Sequence, residues 1–247
     1  MDKYFNKNDL VNGYSIIKKI GEGKYGIAYL GIDSKGQKSV IKQLKKEMLQ
    51  RMGNKVIYEK KTLKSLEGSH FPRYLGSFKD NNREGYLLEY IEGELFRDYI
   101  YKKEHRFTRE EIYKVCYELL DIVEILQKNN IVHRDIRTPN VIIKKNGELV
   151  LIDFGLARFI DGEKFNKYED YWYIGDFLIH LYYSTYVITD SRERPWFIEL
   201  NLIREERELL KRLMGVKEFY NEISEIRKQL SKVEEEYRYK KASIING

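Results

Sequence analysis

The 247-residue chain is 42% hydrophobic and 34% charged, with three prolines and one cysteine, the composition of a globular protein that can bury a sizeable core in one large domain or two small ones. No segment approaches the unbroken apolar length of a membrane span, the opening MDKYFNKNDL has charges but no apolar block, and the lone Cys116 cannot form an internal disulfide; membrane-spanning and disulfide-stapled classes are excluded, and a cytoplasmic protein without a membrane partner is expected. The net charge of +6 is uneven: residues 1–91 hold 18 Lys and Arg against 10 Asp and Glu, the remainder 27 against 29, which fits either an anionic partner or a solvated basic face.

Residues 14–44 alternate short β-rich runs with turns. YSIIKKI is a predicted strand, GEGKYG a glycine loop, IAYLGID a second strand, DSKGQ a turn and SVIKQL a third strand. From 45 to 67 the spacing becomes helical, with Met48, Met52, Val56, Leu63 and Leu66 on the apolar face. RYLGSF and GYLLEYI return to strand. After Gly93 helices dominate. Thr108 with Glu111 three positions on forms a capping box for a helix over 108–128, whose stripe is Ile112, Val115, Cys116, Leu119, Leu120, Val123 and Leu126. VIIKKNGELVLIDFG reads as a hairpin with a type I′ turn at Asn146-Gly147. Residues 170–188 predict a buried helix. Phe219, Ile223, Ile226, Leu230 and Val233 recur at spacings of 4, 3, 4 and 3, an amphipathic helix in a highly charged stretch.

Four groups of residues carry chemistry. Gly21, Gly23 and Gly26 let backbone amides approach phosphate oxygens without a Cβ in the way. The loop joins two strands, whereas a dinucleotide fold would open a helix at its third glycine. Lys42, in V40-I-K42, lies sixteen residues past Gly26, and Glu59 is one of only two acids between positions 42 and 64 that could hold its ammonium. Asp135, in HRDIRTPN, could orient an attacking hydroxyl or accept its proton. Asn140 and Asp153 offer oxygen donors suited to Mg²⁺, and a hairpin between them brings its ends together.

In this order, G-x-G-x-x-G, V-I-K, H-R-D-x-x-x-x-N and D-F-G resemble the eukaryotic-type protein-kinase family over residues 14 to about 188, and the chain looks most like the small soluble serine/threonine kinases of bacteria. The resemblance implies an α+β, two-lobed fold: a β-rich N-lobe with one helix over 1–91, and a mostly helical C-lobe over 92–247. It implies ATP and Mg²⁺ as cofactors and a protein serine or threonine as acceptor. Lys42 would hold the α- and β-phosphates and Glu59 would anchor it; Asp135 would be the base; Asn140 and Asp153 would bind Mg²⁺. Glu89 and Ile91 would offer backbone groups to adenine, with Ile20, Ala28, Val40 and Ile142 around the ring. The family usually has Val at position 28 and Ala at 40; here the two are exchanged with their summed volume kept.

The departures fall after D-F-G. D170-Y-W-Y-I-G175 resembles the family's D-x-W-S-x-G, yet only 14 residues, LARFIDGEKFNKYE, separate Gly155 from Asp170. No proline occurs between 140 and 194, so the family's A-P-E stop is missing and a shortened activation segment with a reduced peptide platform is expected. The segment has no Ser or Thr to phosphorylate, so Arg134, which in the family pairs with such a phosphate, is expected to meet Asp161, Glu163 or Glu169 instead. Arg137 stands where serine/threonine kinases usually place Lys and could neutralise the γ-phosphate. The short segment favours one alternative, a small-molecule kinase or assembly-bound ATPase of this fold; a second, a non-catalytic nucleotide-binding scaffold, is opposed by the intact Lys42, Asp135 and Asp153. The basic stretch Lys45, Lys46, Arg51, Lys55, Lys60, Lys61 and Lys64 could dock an acidic protein or nucleic acid, or be a solvated face.

Overall fold

The computed structural model describes residues 3–24, 26–47, 59–80, 83–187, 192 and 194–245. The chain forms two compact units, residues 1–93 with 150–157, and residues 94–149 with 158–247. No helix among the described residues is long and apolar enough to cross a membrane.

The first unit is built on six antiparallel strands: β1 (Leu10–Val11), β2 (Tyr14–Glu22), β3 (Gly26–Ile32), β4 (Lys38–Leu44), β5 (Tyr74–Asp80) and β6 (Arg83–Glu89), in the order β1-β2-β3-β4-β6-β5. Period-two alternation gives the sheet two faces. On one, Tyr29 pairs with Ile41 and Ile41 with Leu87, and these join Phe5, Val11, Ile16, Ile27 and Phe78 in the core. On the other, Ala28 lies opposite Lys42 and Lys42 opposite Tyr86, with Leu30, Val40 and Leu88 in the next row. β6 comes so near β4 that a Cβ on Gly85 would stand 2.1 Å from the Lys42 carbonyl oxygen, so only glycine fits. Residues 59–65 are helical, and Leu63 and Leu66 are buried; Met48, Met52 and Val56 of the expected apolar face lie outside the described residues.

The second unit is mainly helical: α2 (Phe96–Tyr101), α3 (Arg109–Lys128), α4 (Tyr168–Tyr183), α5 (Trp196–Glu199), α6 (Arg204–Leu213) and α7 (Ile223–Ile245), where α1 denotes the helical residues 59–65 of the first unit. The remaining strands are short: β7 (Glu94–Leu95), β8 (Ile131–Val132), β9 (Val141–Ile143), β10 (Leu149–Leu151) and β11 (Arg158–Phe159). Thr108 caps α3 through the expected reciprocal box: Glu111 N–H donates to Thr108 Oγ1 at 3.2 Å and Thr108 N–H to Glu111 Oε2 at 2.8 Å. Such a cap contributes about 1 kcal/mol. Six of the seven stripe residues are buried; Val115 is half-buried, and Tyr113 and Ile122 join the core as well. α7 runs antiparallel to α3, since Arg227 near its start reaches Glu124, Tyr237 meets Tyr113, and Lys241 near its end reaches Glu110. Its Ile226, Leu230 and Val233 are fully buried, so the charged C-terminal stretch completes this unit's core. α4 and α6 approach at Gly175, where a Cβ would stand 2.8 Å from Met214 Sδ.

The structure departs from three expectations. The buried helix expected over 170–188 is α4, which starts at Tyr168 and ends at Tyr183, where Ser184 Oγ turns back onto the Leu181 carbonyl. Phe219 does not begin the amphipathic helix; it precedes α7 and stacks on Tyr168 with ring centroids 5.2 Å apart. The turn at Asn146-Gly147 is not type I′, because only Gly147 takes positive φ, at 86°. Lys144 N–H bonds the Glu148 carbonyl and Gly147 N–H bonds that of Lys144, giving a three-residue loop closed by a left-handed glycine. Asn146 instead spends its Oδ1 on Glu148 N–H.

Candidate active site

The glycine motif makes the β2–β3 turn. Gly21 pairs with Ala28, Gly23 N–H donates to the Gly26 carbonyl at 2.9 Å, and a Cβ on Gly26 would stand 2.5 Å from the Gln43 carbonyl oxygen. At Gly23 an added Cβ would meet nothing within 4 Å, so one side of that backbone is open to a ligand. Ala28 and Val40 are half-buried on the same sheet face as Lys42, while Ile20 is 44% exposed. Leu88 and Ile91 are buried, and Glu89 is fixed by Arg73, whose carbonyl takes Glu89 N–H at 2.9 Å and whose Nε reaches Glu89 Oε2 at 3.1 Å.

Lys42 Nζ lies 2.7 Å from Glu59 Oε1 and 2.8 Å from Asp153 Oδ1, and 5.8 Å from the centre of the Tyr86 ring. Burial works against its charge, but Glu59, Tyr86 and Asp153 outweigh that and hold the ammonium well above its usual range. Lys42 is therefore cationic at any working pH. Asp153 itself adopts a left-handed backbone, φ 63°, which costs a non-glycine residue energy. The fully buried Phe154, edge-on to Phe71 at 5.8 Å, and the Leu151 N–H bond to the His70 carbonyl hold this segment in place.

In the second unit the loop of residues 133–140 is pinned from α4. Asp170, 1% exposed, accepts the N–H groups of His133 and Arg134, each at 2.8 Å. Arg134 thereby holds φ 68°, and its Nε lies 2.6 Å from Glu169 Oε2, the third of the acids expected for it. Asp135 receives Arg137 Nε at 2.5 Å and Asn140 Nδ2 at 2.7 Å, while its N–H bonds the buried His133 ring at Nδ1, 3.3 Å away. Asn140 Nδ2 also donates to the Asp135 carbonyl at 3.0 Å. Its amide hydrogens are thus committed to Asp135, which leaves the carboxamide oxygen to offer a cation. In the first unit the half-exposed Asp153 carboxylate offers oxygen as well. Both are donors of the kind a small hard divalent ion takes, alongside substrate phosphates. Ile142 lies on β9, opposite Leu95 of β7.

Residues 161–167, which lead into α4, fold into a closed turn. Asp161 Oδ1 accepts N–H groups from Glu163, Lys164 and Phe165 at 3.1, 2.9 and 2.8 Å. These bonds, that from Phe165 foremost, hold its carboxyl below the usual range.

Sequence reasoning gave no role to Tyr86 or Leu88, and named His133 only as part of H-R-D. The first two were accessible from period two on β6, which puts them on the Lys42 face; nothing local marked His133 as a buried acceptor. Of the basic stretch, Arg51 and Lys55 lie outside the described residues. Lys45 pairs with Glu22 at 2.8 Å, so its charge is met within the molecule, and Lys60 donates to Ser77 Oγ at 3.2 Å; the described residues of the stretch give no support to an acidic or nucleic-acid partner.

Residues 14–190 match the family described as "Protein kinase domain". Among curated relatives, the chain is 34% identical over 227 residues to "Probable serine/threonine-protein kinase YbdM" of Bacillus subtilis, covering 89% of this chain and 88% of that protein. It is 31% identical over 179 residues to the dual specificity protein kinase zakA of Dictyostelium discoideum, 67% of this chain and 21% of zakA. It is 30% identical over 154 residues to serine/threonine-protein kinase PAK 1 of Mus musculus, 61% of this chain and 27% of that protein. The chain thus spans most of the bacterial relative and less than a third of the other two. With the matched span covering all four motifs, the chain belongs to the protein kinase family, whose members use ATP to phosphorylate proteins.

Proposed function

We propose that Lys42, Asp135, Arg137, Asn140 and Asp153 carry the transfer of the ATP γ-phosphate to a serine or threonine hydroxyl of a protein substrate. The observation that carries this reading is Asp135, whose carboxylate is aimed by Asn140 and Arg137 on a loop fixed by Asp170. Lys42, held by Glu59, takes the α- and β-phosphates. Ile20, Ala28, Val40, Ile91 and Ile142 surround the adenine, and the backbone of Glu89 and Ile91 offers it hydrogen bonds. Asp135 orients the acceptor hydroxyl and takes its proton as the oxygen attacks the γ-phosphorus; the bond to the β,γ-bridging oxygen breaks and ADP leaves. Asn140 and Asp153 are the residues that would hold Mg²⁺, which when bound would neutralise phosphate charge. Arg137, planar and permanently charged, stabilises the transferring group.

The likeness to the serine/threonine kinases of Bacillus and mouse supports the choice of acceptor. The test is transfer from labelled ATP with Mg²⁺ to a generic basic protein, with phosphosites mapped by mass spectrometry. Asp135→Asn is expected to lower kcat by about 100-fold or more with little change in the ATP KM. Label on protein that persists in Asp135→Asn and Asp153→Ala would overturn the assignments. ATP consumed without label on protein would move the acceptor to a small molecule or, for an assembly-bound ATPase, to water.

A further inference from the structure

The middle residue of the first glycine pair, Glu22, is acidic, an unexpected charge beside a turn that receives a polyanion. The structure shows it fully engaged. Lys45 Nζ lies 2.8 Å from its Oε1 and Lys19 Nζ 3.1 Å from its Oε2, while Tyr4 donates its hydroxyl at 3.2 Å. These partners come from three separate places: Lys45 just beyond β4, Lys19 on β2 itself, and Tyr4 in the segment preceding β1. That segment is anchored. Phe5 is buried with its ring 5.5 Å from Tyr29 and 5.8 Å from Phe78, the Lys3 carbonyl accepts Gln43 Nε2 at 2.8 Å, and Arg83 Nη1 donates to the Tyr4 carbonyl at 3.3 Å. Lys19 also lies over the Tyr4 ring at 5.3 Å.

A carboxylate that joins three segments restrains the strand carrying the turn. We propose that Glu22, held by Tyr4, Lys19 and Lys45, is a positioning residue that sets the glycine turn's grip on the nucleotide phosphates, so that the N-terminal segment helps determine affinity for ATP. Glu22 acts through the backbone of Gly21 and Gly23 and does not touch the nucleotide. The pairing also neutralises its charge, which would otherwise repel the triphosphate. Lysine and tyrosine hold its carboxyl down at about 2, Lys45 contributing most, so the arrangement is present throughout the working pH range.

This inference rests on reading Gly21–Gly26 as the phosphate-binding turn. The test is steady-state kinetics of the full chain, resolved into kcat and ATP KM, for Tyr4→Phe, Glu22→Gln, the double variant and Gly23→Val, with thermal midpoints alongside. Loss of one or two such contacts is expected to raise the ATP KM about three-fold or more, with kcat changed less than two-fold. Tyr4→Phe keeps the ring and its packing, so it retains the fold. The double variant is expected to match Glu22→Gln alone, since the tyrosine acts through that carboxylate. An ATP KM that is unchanged, or lowered because Glu22 is only a repelling charge, overturns the proposal. Gly23→Val separates the two readings, because the added side chain enters open space in the protein. If Gly23→Val also leaves the ATP KM unchanged, the turn itself has been misread; if it raises KM while Tyr4→Phe and Glu22→Gln do not, only the positioning role falls.

Discussion

Glu169 Oε2 lies 2.6 Å from Arg134 Nε, and the Arg134 guanidinium also lies 4.7 Å from the centre of the Phe165 ring. The residue next to Asp135 is therefore held by an acid encoded in the chain, with no added phosphate. The segment between Gly155 and Asp170 contains no Ser or Thr, so phosphorylation on those residues cannot supply one.

From this pairing follows a rate that needs no activating phosphorylation. Exhaustive phosphatase treatment before assay is expected to leave transfer unchanged, whereas Glu169→Ala should slow it about ten-fold through loss of a charge-assisted bond. A large drop after phosphatase would show that Arg134 waits for a phosphate elsewhere.

Lys42 and Glu59 test the cost of breaking a buried pair. Glu59 is 4% exposed and touches Lys42 at 2.7 Å, so Lys42→Met strands its carboxylate. Urea unfolding should show a loss of about 2–4 kcal/mol for that variant. Adding Glu59→Gln should restore at least half of it while phosphoryl transfer stays abolished. Additive losses in the double variant would mean that the two side chains are not energetically coupled.

The strands of the first unit and helix α3 were legible because their signals are local: period two on β3, β4 and β6, and a Thr108–Glu111 box that needs only three residues of context. The motifs were legible because they are short runs of fixed order and spacing, and the span that holds them, residues 14–190, matches the protein kinase family. What escaped was set by distant neighbours. Asn146-Gly147 resembles a two-residue turn, but the strands' register places the closing bond between Lys144 and Glu148. Phe219 fits a helical spacing, yet Tyr168 offers its ring a flat partner outside α7. The partners of Asp161 could not be read either, since a side chain that closes its own turn leaves nothing for Arg134.

Glu206 was also invisible in sequence, one acid in a charged run, yet it is fully buried. Its Oε1 receives Tyr113 at 2.7 Å, Arg109 at 2.9 Å and Tyr182 at 3.1 Å, and its Oε2 the Ile203 N–H at 2.9 Å. Burial and the adjacent carboxylate push both tyrosine hydroxyls well above their usual range, so they stay donors. Glu206→Ala leaves Arg109 and two hydroxyls without their acceptor and is expected to cost about 3–5 kcal/mol, against about 1 for Tyr113→Phe. Chemical denaturation of both variants checks the ratio; equal, small losses would show that water replaces the carboxylate.

Asp170 gives the clearest pH dependence. Burial raises its carboxyl to about 7, only partly opposed by the N–H groups of Arg134 and His133. In the unfolded chain it titrates near the ordinary value of about 4. Between those values the folded state keeps a proton that the unfolded state has released, so Asp170's contribution is complete below pH ~4 and declines as pH rises toward 7, by up to about 4 kcal/mol. Asp170→Asn cannot titrate and supplies one acceptor oxygen. The stability of the native chain relative to this variant should therefore fall across pH 4–7, a difference in which the other titrating groups largely cancel. A flat difference would place the carboxylate in its charged form throughout, with its two backbone donors outweighing burial. The same titration should reach catalysis, because the N–H groups that Asp170 holds belong to the two residues immediately before Asp135.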